Sequence, residues 1–104
     1  MANDIQDASI SEPRLGVIPL DLMKWRDLDD GSVVFHRMTG ETHFFNLYAT
    51  FILRCLQEDP MTEAALVRRI YNDLGEPEDD ALRGKVHRQI LNFVEMAIVE
   101  VVSS

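Results

Sequence analysis

The chain is short of cysteine and of long apolar runs. A single cysteine, Cys55, excludes an intramolecular disulfide and is typical of a reducing compartment. The longest apolar runs span only a few residues, far fewer than the roughly 20 that a transmembrane helix needs. The first four residues lack the basic and apolar regions of a signal peptide. We therefore expect a cytoplasmic protein that does not engage a membrane.

Basic residues are also few. Ten Lys and Arg stand against eighteen Asp and Glu, which gives a net charge of −8 at pH 7. Lys24 and Lys85 are the only lysines, and the arginines are scattered. A nucleic-acid-binding protein neutralises phosphates with clustered cations. We therefore expect no nucleic acid among the partners.

Motifs that carry chemistry are missing. The sequence contains no phosphate-binding loop, no recognisable pairing of a nucleophile with a base and no set of three metal ligands. His36 and His43 approach each other across a predicted hairpin, but two ligands make a weak metal site. Cys55 shares helical spacing with apolar neighbours, which predicts a buried thiol. We expect no enzymatic activity, no metal and no cofactor.

What is present fits one small domain. The 104 residues are 46% apolar and 27% charged, as in an ordinary globular chain with one modest core. Acidic residues, serines and two prolines, Pro13 and Pro19, interrupt every pattern near the start. We therefore predict a flexible tail over residues 1–20 and a folded domain over residues 21–104.

The folded part begins with three predicted strands, at about 25–28, 32–37 and 41–45, where apolar, β-branched and aromatic residues cluster. Asp29-Asp30-Gly31 predicts the first turn. The second turn contains Gly40, and we prefer a type I turn with Gly40 in the left-handed position of a bulge.

The register of this hairpin decides which side chains are buried. The preferred turn is expected to place Phe35 and Phe45 toward the core. The opposite side, which carries Val34 and Phe44, is then partly exposed and forms a candidate sticky patch.

Three helices are predicted after the strands. The first covers about 47–57 with Asn46 as its N-cap, and the second begins after Thr62 and ends at Gly75. The third follows the acidic linker 76–80. Its apolar arc is wider than a simple surface helix needs, so part of it can face a groove. Two rows form this arc: Leu82, Val86, Ile90, Phe93 and Ala97, and beside them Leu91, Val94 and Ile98.

Three short strands followed by three helices predict an α+β fold of winged-helix type, with a three-stranded antiparallel sheet preceding the helices. A hairpin at the edge of such a sheet exposes an unpaired strand. Another extended peptide can pair with that strand, and so can a second copy of the chain. A homodimer therefore remains an open alternative.

Several short motifs occur in a definite order along residues 22–100. The chain resembles the PqqD-like peptide-chaperone family, also called RiPP precursor recognition elements, and is most similar to its HPr-rel-A branch. The motifs that carry the resemblance are Trp25-Arg26, Val33-Val34-Phe35, residues 39–46 (TGETHFFN), Ala49 with Ile52-Leu53 and Leu56, Pro60 with Thr62 and Leu66, and residues 93–100 (FVEMAIVE).

Two positions depart from the family pattern. Phe45 stands where the family usually has Leu, which is a conservative change in a buried strand. Ala97 replaces the usual helix-ending Gly, so we expect the third helix to continue a little further or to end without a left-handed cap.

The resemblance implies a non-catalytic domain that binds a precursor or leader peptide and presents it to a modifying enzyme. The peptide is expected to add as a strand to the third strand, in the groove beside the third helix. The implied peptide-binding residues fall into three groups: the backbone of Thr42, His43, Phe44 and Phe45; the pocket residues Val86, Gln89, Ile90 and Phe93; and Arg83 and Arg88, which are expected to pair with peptide carboxylates. The alternative is a regulatory module that binds a folded, kinase-like partner.

Overall fold

The computed structural model describes residues 13–102, which form an α+β fold with three helices and two three-stranded antiparallel sheets. This confirms the predicted α+β class with three helices, whereas the winged-helix arrangement stays a prediction and only one of the two sheets was predicted. A short 3-10 turn, Leu20–Leu22, precedes the second strand. In chain order the other elements are β1 Arg14–Val17, β2 Met23–Leu28, β3 Gly31–His36, β4 Thr42–Asn46, α1 Leu47–Glu58, β5 Met61–Thr62, α2 Glu63–Leu74, α3 Asp80–Glu95 and β6 Val99–Val102.

The three predicted strands form one sheet, here called the hairpin sheet, with the order β2–β3–β4. A five-residue connection, residues 37–41, joins β3 to β4. In this loop the Gly40 N–H donates to the His36 carbonyl, and the His36 N–H donates to the Glu41 carbonyl, both at 2.8 Å. Gly40 has φ +76°, so its predicted left-handed conformation is confirmed.

The predicted faces of the hairpin are wrong at Phe35 and Val34. The loop pairs Phe35 with Thr42 and Val34 with His43, which puts Phe35 and Phe45 on opposite faces. Val34 is fully buried and Phe45 is 4% exposed, whereas Phe35 is 37% exposed. The exposed aromatic pair is therefore Phe35 with Phe44. The pairing register of β3 and β4 decides which aromatic side chains are exposed, because a shift of one residue moves every side chain of a strand to the other face of the sheet.

The prediction of a tail over residues 1–20 is wrong for residues 14–20, and residues 1–12 lie outside the described part. β1 is the central strand of the second sheet, whose order is β5–β1–β6. Pro13 and Pro19 flank this four-residue strand and do not interrupt it. Gly16 lies so close to β6 that a Cβ there would be 2.8 Å from Val102 Cγ2. A strand this short gives too little alternation to recognise in the sequence.

The helix boundaries follow their caps. The Asn46 side chain accepts from the Ala49 N–H at 2.8 Å, and Thr62 accepts from the Ala65 N–H at 3.1 Å. Gly75 ends α2 with φ +74°. These three predicted caps are confirmed.

The end of α3 differs from the prediction. The helix stops at Glu95, and Ala97 adopts a left-handed conformation with φ +60°. The Ile98 N–H donates to the Phe93 carbonyl and the Ala97 N–H to the Val94 carbonyl, both at 3.0 Å, which is the Schellman pattern. The expectation that this helix lacks a left-handed cap is therefore wrong.

Helix α1 lies at the centre of the core. It packs against β1 of one sheet and against β3 and β4 of the other, and Ile52 and Leu53 on it are fully buried. Cys55 is also buried, as predicted, and this burial raises the pKa of its thiol. The buried side chains of α2 and α3 complete the core; they are Leu66, Val67, Ile70, Leu82, Val86, Ile90 and Phe93.

Candidate functional site

Strand β4 is an edge strand, paired with β3 on one side only. Backbone pairs in an antiparallel ladder alternate between hydrogen-bonded and non-hydrogen-bonded pairs. Since His36 and Glu41 are a hydrogen-bonded pair, the alternation directs the backbone groups of His43 and Phe45 toward β3. The N–H and C=O groups of Thr42 and Phe44 point away from the sheet. They are open to a further strand.

Helix α3 approaches β4 through side-chain contacts, and the region between the two elements is here called the β4–α3 groove. Phe45 meets Phe93 edge to face, with ring centroids 5.4 Å apart. Further along, Lys85 Nζ lies 4.1 Å from the centroid of the Tyr48 ring. Gln89 is one helical turn beyond Lys85, on the same flank of the helix, and is half-buried. The groove therefore has an aromatic floor at one end and a cation at the other.

Two buried polar atoms along this line lack a hydrogen-bond partner within residues 13–102: His43 Nε2 and the Tyr48 hydroxyl. His43 stacks on Phe45 with ring centroids 6.0 Å apart, and Glu41 Oε1 lies 3.5 Å from His43 Nε2 without hydrogen-bond geometry. Burial and, to a smaller extent, Glu76 raise the pKa of Tyr48, so its hydroxyl remains a donor at neutral pH. Buried polar atoms without partners are costly, and a bound polar group would relieve that cost.

The structure brings some of the predicted site residues to the groove. Thr42 and Phe44 are exposed on the edge strand, and the His43 and Phe45 side chains point to the α3 side. Gln89 and Phe93 are on the facing part of α3, although Phe93 is fully buried beneath it. Of the six expected α3 residues, two therefore lie on the side that faces β4, and of these two only Gln89 is accessible.

The other predicted residues lie elsewhere. Val86 and Ile90 are core residues, at 0% and 4% exposure. Arg83 is on the opposite flank of α3, where its guanidinium donates to Asp80 Oδ1 at 2.7 Å. Arg88 is exposed and lines a hollow on α3 together with Lys85 and Gln89, to which no β4 residue contributes. Lys85, which was not among the predicted site residues, is the cation nearest to the groove floor.

A second groove runs between α2 and α3 on the other flank. It has a volume of about 480 Å³ and a mainly apolar lining, and Leu91 and Val94, which are about half exposed, form one wall. His87 Nδ1 lies 3.1 Å from the Glu63 carboxylate at its rim. The wide apolar arc predicted for α3 therefore does reach a groove, but this groove is remote from β4.

The outer face of the hairpin sheet, opposite α1, carries an uncovered set of apolar and basic side chains. Lys24 pairs with Phe35, and Phe35 with Thr42, across the strands. The next row places Arg26 beside Val33 and Phe44. The sequence predicted a partly exposed patch that includes Phe44, but it placed Val34 on this face and Phe35 in the core because the register was misassigned.

Arg54, Arg68, Arg69 and Arg83 form ion pairs with carboxylates within residues 13–102. Among the described residues no group of three or more His, Cys, Asp or Glu side chains is arranged to hold a metal ion. His36, one of the two histidines considered for a metal, instead binds the backbone: its Nε2 lies 2.9 Å from the Ala97 carbonyl. None of the helices within residues 13–102 has the length and apolarity needed to span a bilayer.

Comparisons of the chain with models of protein families, with curated proteins and with solved structures find no match. Function is therefore argued from the geometry of the β4–α3 groove.

Proposed function

We propose that the protein is a non-catalytic peptide-binding domain that captures an extended peptide as an added strand on β4. The observation that carries this proposal is the open edge at Thr42 and Phe44, whose backbone groups face away from β3. A peptide in antiparallel or parallel register would pair with these groups, as in other strand-addition complexes. His43 and Phe45 would contribute side chains only, because their backbone groups are used within the sheet.

The peptide's side chains would alternate between two environments. One set would enter the β4–α3 groove and contact Phe45, Gln89 and the two unpartnered polar atoms of His43 and Tyr48. A carboxylate in this set would pair with Lys85, which forms no ion pair within residues 13–102. In this proposal Lys85 takes the role first expected of Arg83.

The resemblance to PqqD-like peptide chaperones supports the proposal. Ala97 has φ +60° at the position where that family usually has Gly, so the backbone conformation is the one that a glycine there would favour. On the basis of this resemblance, we propose that the hairpin sheet and the three helices are arranged as in a winged-helix fold. The ligand would be a precursor or leader peptide, presented in the cytoplasm to a modifying or kinase-like enzyme.

The test uses a displayed library of linear 16-residue peptides, selected on the full chain. The strongest binder is synthesised and its Kd is measured against Thr42→Pro and against the matched control Thr42→Val. Proline removes the outward N–H of an edge position and is tolerated there, whereas valine keeps that N–H and the β-branched shape. We expect Thr42→Pro to weaken binding about tenfold or more, which is ~1.4 kcal/mol, and Thr42→Val to bind like the wild type.

The same peptide is titrated into the isotope-labelled protein. Chemical-shift changes should concentrate on residues 42–46 and on the groove flank of α3 around Lys85 and Gln89. Equal affinity of both variants, or shifts centred on the groove between α2 and α3, would contradict the proposal. Circular dichroism of Thr42→Pro serves as the control for folding. A spectrum like that of the wild type assigns the loss of binding to the missing N–H and not to unfolding.

A further inference from the structure

The outer face of the hairpin sheet is a second exposed surface, separate from the β4–α3 groove. Its members come from all three strands and alternate with the buried ones. Phe35 and Phe44 are 37% and 58% exposed, and Val33 lies half-buried between them. Leu28 extends the apolar area at the end of β2, where it is 39% exposed. A sheet normally buries both faces or keeps one polar, so an apolar outer face marks an interaction surface.

Two cations border this apolar area. Lys24 and Arg26 stand two residues apart on β2 and therefore point to the same side of the sheet. Neither forms an ion pair or a side-chain hydrogen bond within residues 13–102. By contrast, Arg54, Arg68, Arg69 and Arg83 are all engaged by carboxylates. Arg14, Arg37, Lys85 and Arg88 also lack an ion pair within residues 13–102, so the distinguishing feature of Lys24 and Arg26 is their position beside an exposed apolar surface.

Part of the face is concave, with both polar and apolar side chains lining it. Lys24, Arg26, Val33, Phe35 and Thr42 contribute to a hollow of about 540 Å³. Helices are the usual second layer on a sheet, and α1 already covers the opposite face. An additional helix lying in the hollow would give the sheet its second cover.

We infer that this outer face docks an amphipathic helix of a partner protein whose apolar stripe is bordered by Asp or Glu. The apolar stripe would cover Val33, Phe35 and Phe44, and the carboxylates would pair with Lys24 and Arg26. The choice of an acidic partner follows from charge complementarity. Nucleic acid is disfavoured because two cations neutralise too few phosphates.

This assignment does not depend on peptide binding at β4, but the two sites are neighbours. A strand added to β4 would enlarge the hairpin sheet and place alternate side chains beside Phe44. The partner helix would then contact the bound peptide directly. The arrangement would suit a domain that holds a peptide while a second protein acts on it.

The experiment uses a displayed library of 18-residue helix-forming peptides in which one face is randomised. The library is selected on the wild-type chain after depletion on Lys24→Glu/Arg26→Glu. The best binder is synthesised and its Kd measured at low and high salt. We expect it to carry Asp or Glu next to aliphatic or aromatic residues, and to bind more weakly as salt screens the pairs.

Variants separate this face from the rest of the surface. Lys24→Glu/Arg26→Glu and Phe35→Thr should each weaken the binder at least about tenfold, or ~1.4 kcal/mol. The matched control Arg14→Glu/Arg68→Glu changes the net charge by the same amount on β1 and α2, away from this face, and should leave the Kd unchanged. All three should still bind the strand-forming peptide of the β4 test. Shifts on titration should fall on Val33, Phe35 and Phe44.

Four outcomes of the binding experiments would overturn the inference, and a fifth concerns the oligomeric state. They are the failure to enrich any binder over an unrelated domain, a binder without acidic residues, shifts confined to the β4–α3 groove, and tighter binding of a 20-residue oligothymidylate than of the helical peptide. A concentration-dependent dimer that Phe35→Thr abolishes would also contradict it, because the face would then belong to a contact between copies. Whether Thr42→Pro loses affinity for the strand-forming peptide tests only the proposal of strand addition at β4. It does not test helix docking on the outer face.

Discussion

At the scale of single residues, the end of α3 depends on an alanine in a conformation that suits glycine. Ala97 has φ +60°, where its Cβ is strained. We predict that Ala97→Gly stabilises the protein by about 0.5–1 kcal/mol, because relief of this strain outweighs the extra freedom of glycine in the unfolded chain. Urea unfolding measures the difference.

A matched control is Ala65→Gly, an exposed position in the first turn of α2. It has ordinary helical geometry, so glycine there should destabilise the protein, by up to about 1 kcal/mol. A loss of stability in Ala97→Gly equal to that in Ala65→Gly would contradict the left-handed geometry at the end of α3.

His36 connects the hairpin loop to the end of α3. Its Nδ1 accepts from the Met38 N–H at 3.2 Å and lies 3.4 Å from the Thr39 nitrogen, so the ring proton is on Nε2, which donates to the Ala97 carbonyl at 2.9 Å. His36→Phe keeps the ring size and leaves these backbone groups unpaired. We predict a loss of about 1–3 kcal/mol in the free energy of unfolding.

The same substitution at an exposed histidine serves as the comparison. His87→Phe removes only a surface pair with Glu63 and should change stability by less than about 0.5 kcal/mol. If both variants unfold at the same urea concentration, the two-sided hydrogen bonding of His36 does not stabilise the fold.

At the scale of elements, the hairpin sheet depends on a close approach of two backbones at Gly31. A Cβ there would be 1.8 Å from the Phe45 carbonyl oxygen, and φ is +156°. Gly31→Ala must therefore displace β4 from β3. We predict a loss of more than about 2 kcal/mol together with weakened peptide binding at β4.

Gly40 provides the control for this prediction. Its φ is also positive, at +76°, but nothing lies within 4 Å of a Cβ there. Gly40→Ala should cost only the strain of the left-handed conformation, about 1 kcal/mol. Thermal unfolding measures the loss of stability in each variant, which should be larger in Gly31→Ala than in Gly40→Ala. The reverse order would contradict the register of β3 and β4.

A polar cluster connects β2 to α1. The Trp25 indole N–H donates to Asp27 Oδ1 at 2.8 Å, and Arg54 reaches both carboxylate oxygens at 2.7 and 2.8 Å. These contacts, the Trp25 hydrogen bond foremost, hold the pKa of Asp27 below its usual value of 3.8. Because the folded-state pKa is the lower one, the stabilisation is complete above about pH 4 and is lost as the pH falls through the folded-state pKa.

We therefore predict that Asp27→Asn is less stable than the wild type at pH 7 and that this gap closes toward pH 2. Urea midpoints across this pH range measure the gap, and added salt should narrow it because the cluster is exposed. Asp21→Asn, at an exposed carboxylate without an ion pair in the described chain, should show no such gap. A gap for Asp27→Asn that stays constant with pH would contradict the coupling.

The predictable elements are those with strong local signals. The caps at Asn46, Thr62 and Gly75 set the helix ends, and the alternating apolar residues around Gly40 set the hairpin. β1 was missed because four residues between prolines carry little pattern. Its pairing with β5 and β6 depends on contacts far apart in the chain.

The site was predictable only in outline. The edge strand and its neighbouring helix follow from the order of elements, but which flank of α3 meets β4 depends on a rotation that helical spacing alone does not fix. This is why Arg83 and Ile90 were placed in the groove, whereas Lys85 is closer to it. The faces of the hairpin were misassigned because loop length sets register, and a difference of one residue exchanges Phe35 for Val34.

At the scale of the whole molecule, one small core supports three separate surfaces: the β4–α3 groove, the outer face of the hairpin sheet and the groove between α2 and α3. The first two meet along β4. A peptide on the edge and a helix on the face could therefore bind at the same time and contact each other. This would require no conformational change of the domain.

Amide hydrogen exchange along β4 tests the central claim most directly. In the free protein the Thr42 and Phe44 amides should exchange quickly, whereas those of His43 and Phe45 are protected by β3. Adding the selected strand-forming peptide should slow exchange at Thr42 and Phe44 and leave His43 and Phe45 nearly unchanged. Tight binding with no new protection at Thr42 and Phe44 would contradict strand addition at this edge.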